Sequence, residues 1–132
     1  MKIIDKVALV RTDSGKVLMA RSTGKTKYYA PGGKREGNET DQETLSREIR
    51  EELHVDILPD TVQYLGTFEA QADGHPEEVV VRMICYGADY SGAPKASGEI
   101  EEIRWLSYAD IDLVAEVDRQ VFAFLKGTNK LT

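Results

Sequence analysis

The stretch TDQETLSREIREEL at residues 40–53 is the strongest helix signal in the chain, and what it carries constrains the remainder. Thr40 followed three residues later by Glu43 is a capping box: the hydroxyl takes one orphan backbone amide and the carboxylate reaches back to another. Leu45, Ile49 and Leu53 recur every four residues, drawing an apolar stripe for burial against a sheet. Just upstream, Pro31-Gly32-Gly33 is expected to break the chain sharply.

At about 100° per residue, Glu48 and Glu52 lie immediately beside the apolar stripe and Glu51 one step further round. Carboxylates at these spacings repel, each pair costing about 0.2–0.5 kcal/mol on an exposed helix. Arg47 and Arg50 can offset part of that repulsion, but neither can reach all three acids. A mixed Glu/Arg run is ordinarily a solvated face held by ion pairs. The alternative is a hard divalent cation such as Mg²⁺, which prefers carboxylate oxygen and keeps its other positions for water and phosphate.

Composition narrows the classes. A chain of 132 residues is expected to form a single domain, 1–132, with one core between helical layers and a sheet. A net charge of −6 argues against a duplex nucleic acid or an anionic membrane as partner. Any anionic substrate must be drawn in by bound cations and by local bases such as Arg21, Lys25, Lys27, Lys34 and Arg35. The lone Cys85 excludes a disulfide framework and reads as a packed strand residue. The short apolar run at residues 7–10 is too brief for a signal or spanning segment, so a cytoplasmic protein is expected.

Residues 4–11 and 16–21 read as strands of one hairpin across the turn Thr12-Asp13-Ser14-Gly15. Residues 28–30 read as a short extended piece, 62–70 and 77–90 as strands around a loop at 72–76, and 100–106 as a further strand. Residues 113–126 close the chain as an amphipathic helix with Leu113, Val117, Val121, Phe122, Phe124 and Leu125 on its apolar face. Trp105 and Leu106 are expected in the core, and His75 in solvent. The expected class is α/β (α+β), with a mixed central sheet between helices.

From Gly33 the sequence reads Gly, five residues, Glu39, seven residues, Arg47-Glu48-Ile49, one residue, Glu51-Glu52, one residue, His54-Val55. This resembles the signature box of the Nudix hydrolases, with every specified position matched except His54, where the family usually has glycine. Agreement of that kind arises by chance on the order of once in a million. His54 would have to enter the left-handed region that glycine enters freely, at about 1–2 kcal/mol.

The resemblance implies an α/β/α sandwich and cleavage of a nucleoside diphosphate linked to another moiety, using water and Mg²⁺, with Mn²⁺ as an alternative. It implies that Gly32 offers a backbone carbonyl to the metal and that Glu51 and Glu52 are ligands. Glu48 is either a ligand or the base for the attacking water, Arg47 orients a carboxylate, and Glu39 holds the loop or a metal-bound water. A further carboxylate from outside the box is expected among Glu99, Glu101 and Glu102, with Glu102 the choice. Gly33, Lys34, Arg21, Tyr29 and Asp118 are the expected substrate contacts. Tyr28 and Tyr29 read either as packing or as base-stacking rings, and Asp118 either as an exposed helix acid or as an acceptor for a base edge.

Markers of the ADP-ribose and diadenosine polyphosphate branches are missing, since Ala70, Gln71 and Ala72 stand in their places. The resemblance is therefore to the MutT-like branch, which hydrolyses nucleoside triphosphates to monophosphate and pyrophosphate and includes members that remove oxidised guanine nucleotides. An ADP-ribose or sugar-nucleotide pyrophosphatase, a nucleotide sensor that does not cleave, and a partner-binding domain are the rivals. A nucleotide is the expected partner of a chain that is either monomer or homodimer.

Overall fold

The computed structural model describes residues 2–72, 75–76 and 78–132. Its strands are β1 (Lys2–Leu9), β2 (Thr12–Asp13), β3 (Lys16–Ser22), β4 (Gly32–Lys34), β5 (Asp56–Ile57), β6 (Gln63–Gln71), β7 (Val79–Gly87), β8 (Tyr90–Ser91) and β9 (Ile100–Leu106). Two α-helices, α1 (Asp41–Leu53) and α2 (Glu116–Gly127), complete the frame. One sheet runs β4-β1-β7-β6, with β1 and β7 parallel and the outer pairs antiparallel; a second runs β2-β3-β9, and β5 pairs β8.

The sheet has a helix on each face, and residues 7–10 show the consequence. Val7 and Leu9 join Leu45, Ile49 and Leu53 of α1, whereas Ala8 and Val10 join Val117, Val121, Phe122 and Leu125 of α2. At residues 7–10 both faces are covered, which is why this run is apolar without alternation, while the preceding half of the strand carries Lys2, Asp5 and Lys6. The expected mixed α+β architecture is observed.

Helix α1 begins as expected. Thr40 accepts from Glu43 N at 3.1 Å and Glu43 returns the bond to Thr40 N at 2.8 Å. It ends at His54, whose φ of 59° lies in the left-handed region with its N–H donating to Arg50 O. Histidine thus takes the glycine conformation.

Several expected elements change. Strands β1 and β3 do not pair; the hairpin is β2–β3, and its two turn residues Ser14 and Gly15 both have positive φ. Backbone pairing continues through Leu18 N to Arg11 O, so the chain passes from one sheet into the other at residues 10–11. Pro31-Gly32-Gly33 is not a sharp break, because Gly32 and Gly33 open edge strand β4 against β1. Gly32 has φ +149°, and a Cβ there would stand 2.1 Å from Val7 O. Only glycine fits.

The expected strand at 77–90 is β7, ending at Gly87; Glu77, like Asp73 and Gly74 of the preceding loop, lies outside the described residues. The closing helix starts at Glu116 rather than Leu113, since residues 113–115 pair instead with Tyr28: Tyr28 N donates to Leu113 O and Ala115 N to Tyr28 O. Leu113 consequently stays partly exposed, outside the core, and Phe124, within the helix, is also partly exposed, with its ring edge-on to Phe68. Trp105 is 38% exposed while Leu106 is buried, because successive residues of β9 face opposite ways. Cys85 is buried, as expected, and burial pushes its thiol up to about 12. Among the described residues no helix is long and apolar enough to cross a membrane.

Candidate active site

The helix, strand β4 and the loop before β9 bring the acidic residues together. Glu52 Oε1 accepts from Gly32 N at 3.0 Å, and Glu48 packs where a Cβ on Gly33 would fall, 2.4 Å from its carboxyl carbon. A side chain at Gly33 would expel the Glu48 carboxylate, and one at Gly32 would collide with the β1 backbone at Val7 and Ala8. On the other side, Ser97 N donates to Glu52 O and Lys95 N to Leu53 O, so the loop satisfies two orphan carbonyls of the helix end. Gly98, with φ +60°, closes against Glu51 O. The result is a cleft lined by Glu36, Arg47, Glu48, Glu51, Glu52 and Glu99.

Arg47 is the hub of this cleft. Its guanidinium bonds Glu39 through Nε at 2.7 Å and Nη2 at 2.9 Å, Glu48 through Nη1 at 3.0 Å, and Lys34 O at 3.0 Å. Glu51 is a longer contact of Nη1 at 3.4 Å. The bidentate pair pulls Glu39 down to about 2. Glu39 also accepts from Glu36 N and Thr44 Oγ1, so it ties the loop to the helix.

Glu52 and Glu48 are in the opposite condition. Burial pushes Glu52 up to about 8, against the Gly32 amide, and the nearby charges of Glu48 and Glu99 push the same way. Burial likewise raises Glu48, opposed by Arg47. A carboxylate set raised by desolvation and mutual repulsion is a set that a divalent cation would stabilise. The donors are all oxygen, which fits a hard cation.

Their present geometry is not that of a closed ligand cage. Among the described residues no three acidic, histidine or cysteine side chains are gathered in metal-holding positions. Arg47 takes oxygens of Glu48 and Glu51, and the Gly32 amide takes one of Glu52; Glu51, 58% exposed, would have to rotate inward. The three glutamates share a cleft without converging on one point.

The expected outer ligand is corrected. Glu102 accepts from Tyr28 Oη at 2.5 Å and from Arg21 Nη2 at 3.2 Å, away from the acidic cleft. Cross-strand pairing of Arg21 with Glu102 aims it at β3. Glu99, three residues earlier, lines the cleft instead. Arg21 is correspondingly occupied, by Glu101, Glu102 and Lys25 O.

A second cleft, of about 240 Å³, adjoins the first. Lys6, Lys25, Lys34 and Tyr29 line it with a floor of small apolar residues that includes Ala20 and Ala30. Glu52 and Gly32 line it too, so Glu52 is common to both clefts. Lys6 stands 5.0 Å above the Tyr29 ring. Tyr28 is packed, not stacked against ligand space, at 5% exposure. His75 is exposed at the rim.

Asp118 is not an exposed helix acid; it is completely buried behind this second cleft. Its Oδ1 accepts from Ala30 N at 2.8 Å, and its Oδ2 has no partner among the described residues. Burial pushes the carboxyl up to about 7, opposed by the Ala30 amide and the charge of Lys6. Glu99 was among the three candidate acids, and Lys6 is the cleft-lining residue that the sequence analysis does not single out. The signal for Lys6 was present: a lysine shares a strand face with Ile4 and Ala8, where period-two alternation calls for an apolar residue.

Comparison with known proteins places the fold and the family. An RNA pyrophosphohydrolase of Halorhodospira halophila is 45% identical over 58 residues, covering 44% of this chain and 31% of that protein. The chain thus matches under a third of that curated relative's length. The solution structure of the E. coli ORF135 protein superposes with a TM-score of 0.73 at 26% identity, covering 97% of this chain and 94% of the other. The MutT protein of Methanosarcina mazei Go1 shares the fold at a TM-score of 0.77 and 24% identity, over 98% and 96% of the two chains. The family model described as NUDIX domain matches residues 3–125, and the chain belongs to the Nudix family.

Proposed function

We propose that this single-domain chain is a Mg²⁺-dependent pyrophosphohydrolase of nucleoside diphosphate derivatives, acting chiefly on nucleoside triphosphates to give monophosphate and pyrophosphate. The observation that carries the reading is Glu52, a half-buried carboxylate held up to about 8 that lines both the acidic cleft and the lysine-lined cleft. A polyphosphate lying in one cleft and continuing into the other would pass directly over it. The similarity to an RNA pyrophosphohydrolase and membership of the Nudix family support the same class of reaction.

Glu52, Glu51 and Glu99 would hold the cation, with the carbonyl of Gly32. Mg²⁺, with Mn²⁺ as the alternative, would neutralise phosphate oxygens and lower the pKa of the attacking water. Glu48, raised by burial, is the base that takes the water's proton at its carboxylate. Arg47 orients Glu48 and locks Glu39, while Lys34 contacts phosphate beside Gly33. Asp118 offers its unpartnered Oδ2 to an N–H of the base, and Tyr29 contacts the nucleoside. Arg21 and Glu102 stabilise the sheet beneath. Action in the cytoplasm on nucleotides belongs to the same reading.

Release of pyrophosphate from canonical and oxidised triphosphates, with sugar nucleotides and ADP-ribose alongside, tests it with and without Mg²⁺. Glu52→Gln and Glu51→Gln are expected to lose at least about a hundredfold in rate, some 2.7 kcal/mol of barrier, with the fold retained. Wild-type turnover in either variant refutes the role given. The local match to an RNA pyrophosphohydrolase favours one second reading, the 5′-triphosphate end of single-stranded RNA, and a triphosphorylated oligonucleotide in the panel separates the two.

A further inference from the structure

Strands β4 and β1 place Lys34 directly opposite Lys6. Like charges so placed across an antiparallel pair are destabilising. Both side chains line the same cleft, and Lys25 joins them from the loop after β3. Among the described residues the salt bridges are all made by arginines and none by a lysine, these three included, so what distinguishes Lys6 and Lys34 is their placement rather than the lack of an ion pair. In a chain with 23 acidic side chains against 17 basic ones, two lysines held face to face in one cleft, with Glu52 and Glu116 also lining it, are not required by surface balance.

Lys6 is also the more constrained of the pair. Its ammonium lies over the Tyr29 ring at 5.0 Å, which fixes its height in the cleft. From there its charge reaches Glu52 on one side and Asp118 on the other. It therefore sits at the junction between the acidic cleft and the apolar floor.

We propose that Lys6 and Lys34 together form a seat for one phosphoryl group, with Lys6 a binding residue outside the family's signature box. Two ammonium point charges with freely rotating donors suit the several acceptor oxygens of a phosphate. The bound anion removes the repulsion between them. The occupant is the phosphate that stays on the nucleoside or the pyrophosphate that leaves. The identity of the carrier rests on the proposed function; the seat does not, because it can be tested without turnover.

The test is equilibrium binding in EDTA of GMP, AMP, CMP and UMP, their four nucleosides, and inorganic pyrophosphate. It compares wild type, Lys6→Gln, Lys34→Gln and Lys6→Arg. Each glutamine variant should lose about tenfold for the best-bound phosphate compound and under twofold for its nucleoside, with Lys6→Arg retaining most of the affinity. Loss confined to the monophosphates assigns the nucleoside-side phosphate, and loss confined to pyrophosphate assigns the leaving group. Melting of the unliganded Lys6→Gln protein should be unchanged or slightly raised. Equal loss for nucleoside and monophosphate, no loss for either phosphate class, or no phosphate binding by the wild type overturns the seat, whatever the hydrolysis assay shows.

Discussion

At the scale of single residues, the site is built from carboxyl groups held in opposite protonation regimes by their surroundings. Glu39 is pulled down to about 2 by Arg47, while burial lifts Glu52 to about 8 and Asp118 to about 7. Because the folded-state values of Glu52 and Asp118 lie above the ordinary carboxylate range, the folded protein binds more protons than the unfolded chain between about pH 4 and 8. Metal-free protein should therefore lose stability as pH rises through that window. Glu39 acts the other way, its contribution disappearing as pH falls from the ordinary range toward 2. Thermal melts in EDTA across this range should show a declining limb that Glu52→Gln flattens; an unchanged limb contradicts the burial assigned to Glu52. Asp118→Ala should cost about 1–3 kcal/mol in urea unfolding, because it leaves the buried Ala30 amide unpaired. A cost near zero there would show that the amide finds another acceptor.

Elements were legible in the sequence where local chemistry decides them. The capping box and apolar stripe of α1 are interactions between near neighbours, so Thr40, Glu43, Leu45, Ile49 and Leu53 all lie where the pattern put them. Thr40→Ala should accordingly cost about 1 kcal/mol, measured by denaturant midpoint, with Glu48 and Glu52 still on the helix. What failed was partner choice over long range. The hairpin pattern around Ser14-Gly15 is local and real, but whether β1 continues into it or turns to β7 depends on residues 77 positions away, such as Met83 opposite Lys6. The start of α2 was misjudged for the same reason, since the pairing of residues 113–115 with Tyr28 cannot be seen in the helical period. Glu102 was preferred to Glu99 because a run of acids gives no direction; the cross-strand partner Arg21 supplies it.

Across the whole molecule, the two helices cover opposite faces of one mixed sheet, and the clefts open where α1, β4, β1 and the loop before β9 meet. In a chain of net charge −6, Lys6, Lys25 and Lys34 are gathered in one cleft, where the proposed phosphate would meet positive charge. The signature box marked the acidic half of this arrangement and the fold brought the basic half to it. The central claim is that Glu48, Glu51 and Glu52 accept their mutual repulsion because a divalent cation joins them. A melting curve at pH 8 with Mg²⁺ added to the EDTA-stripped protein tests this most directly, in wild type and in Glu52→Gln. The account predicts that saturating Mg²⁺ raises the melting temperature of the wild type by several degrees, as expected for a ligand bound to the folded state alone, and leaves the variant unmoved. An equal shift in both proteins, or none in the wild type, would contradict it.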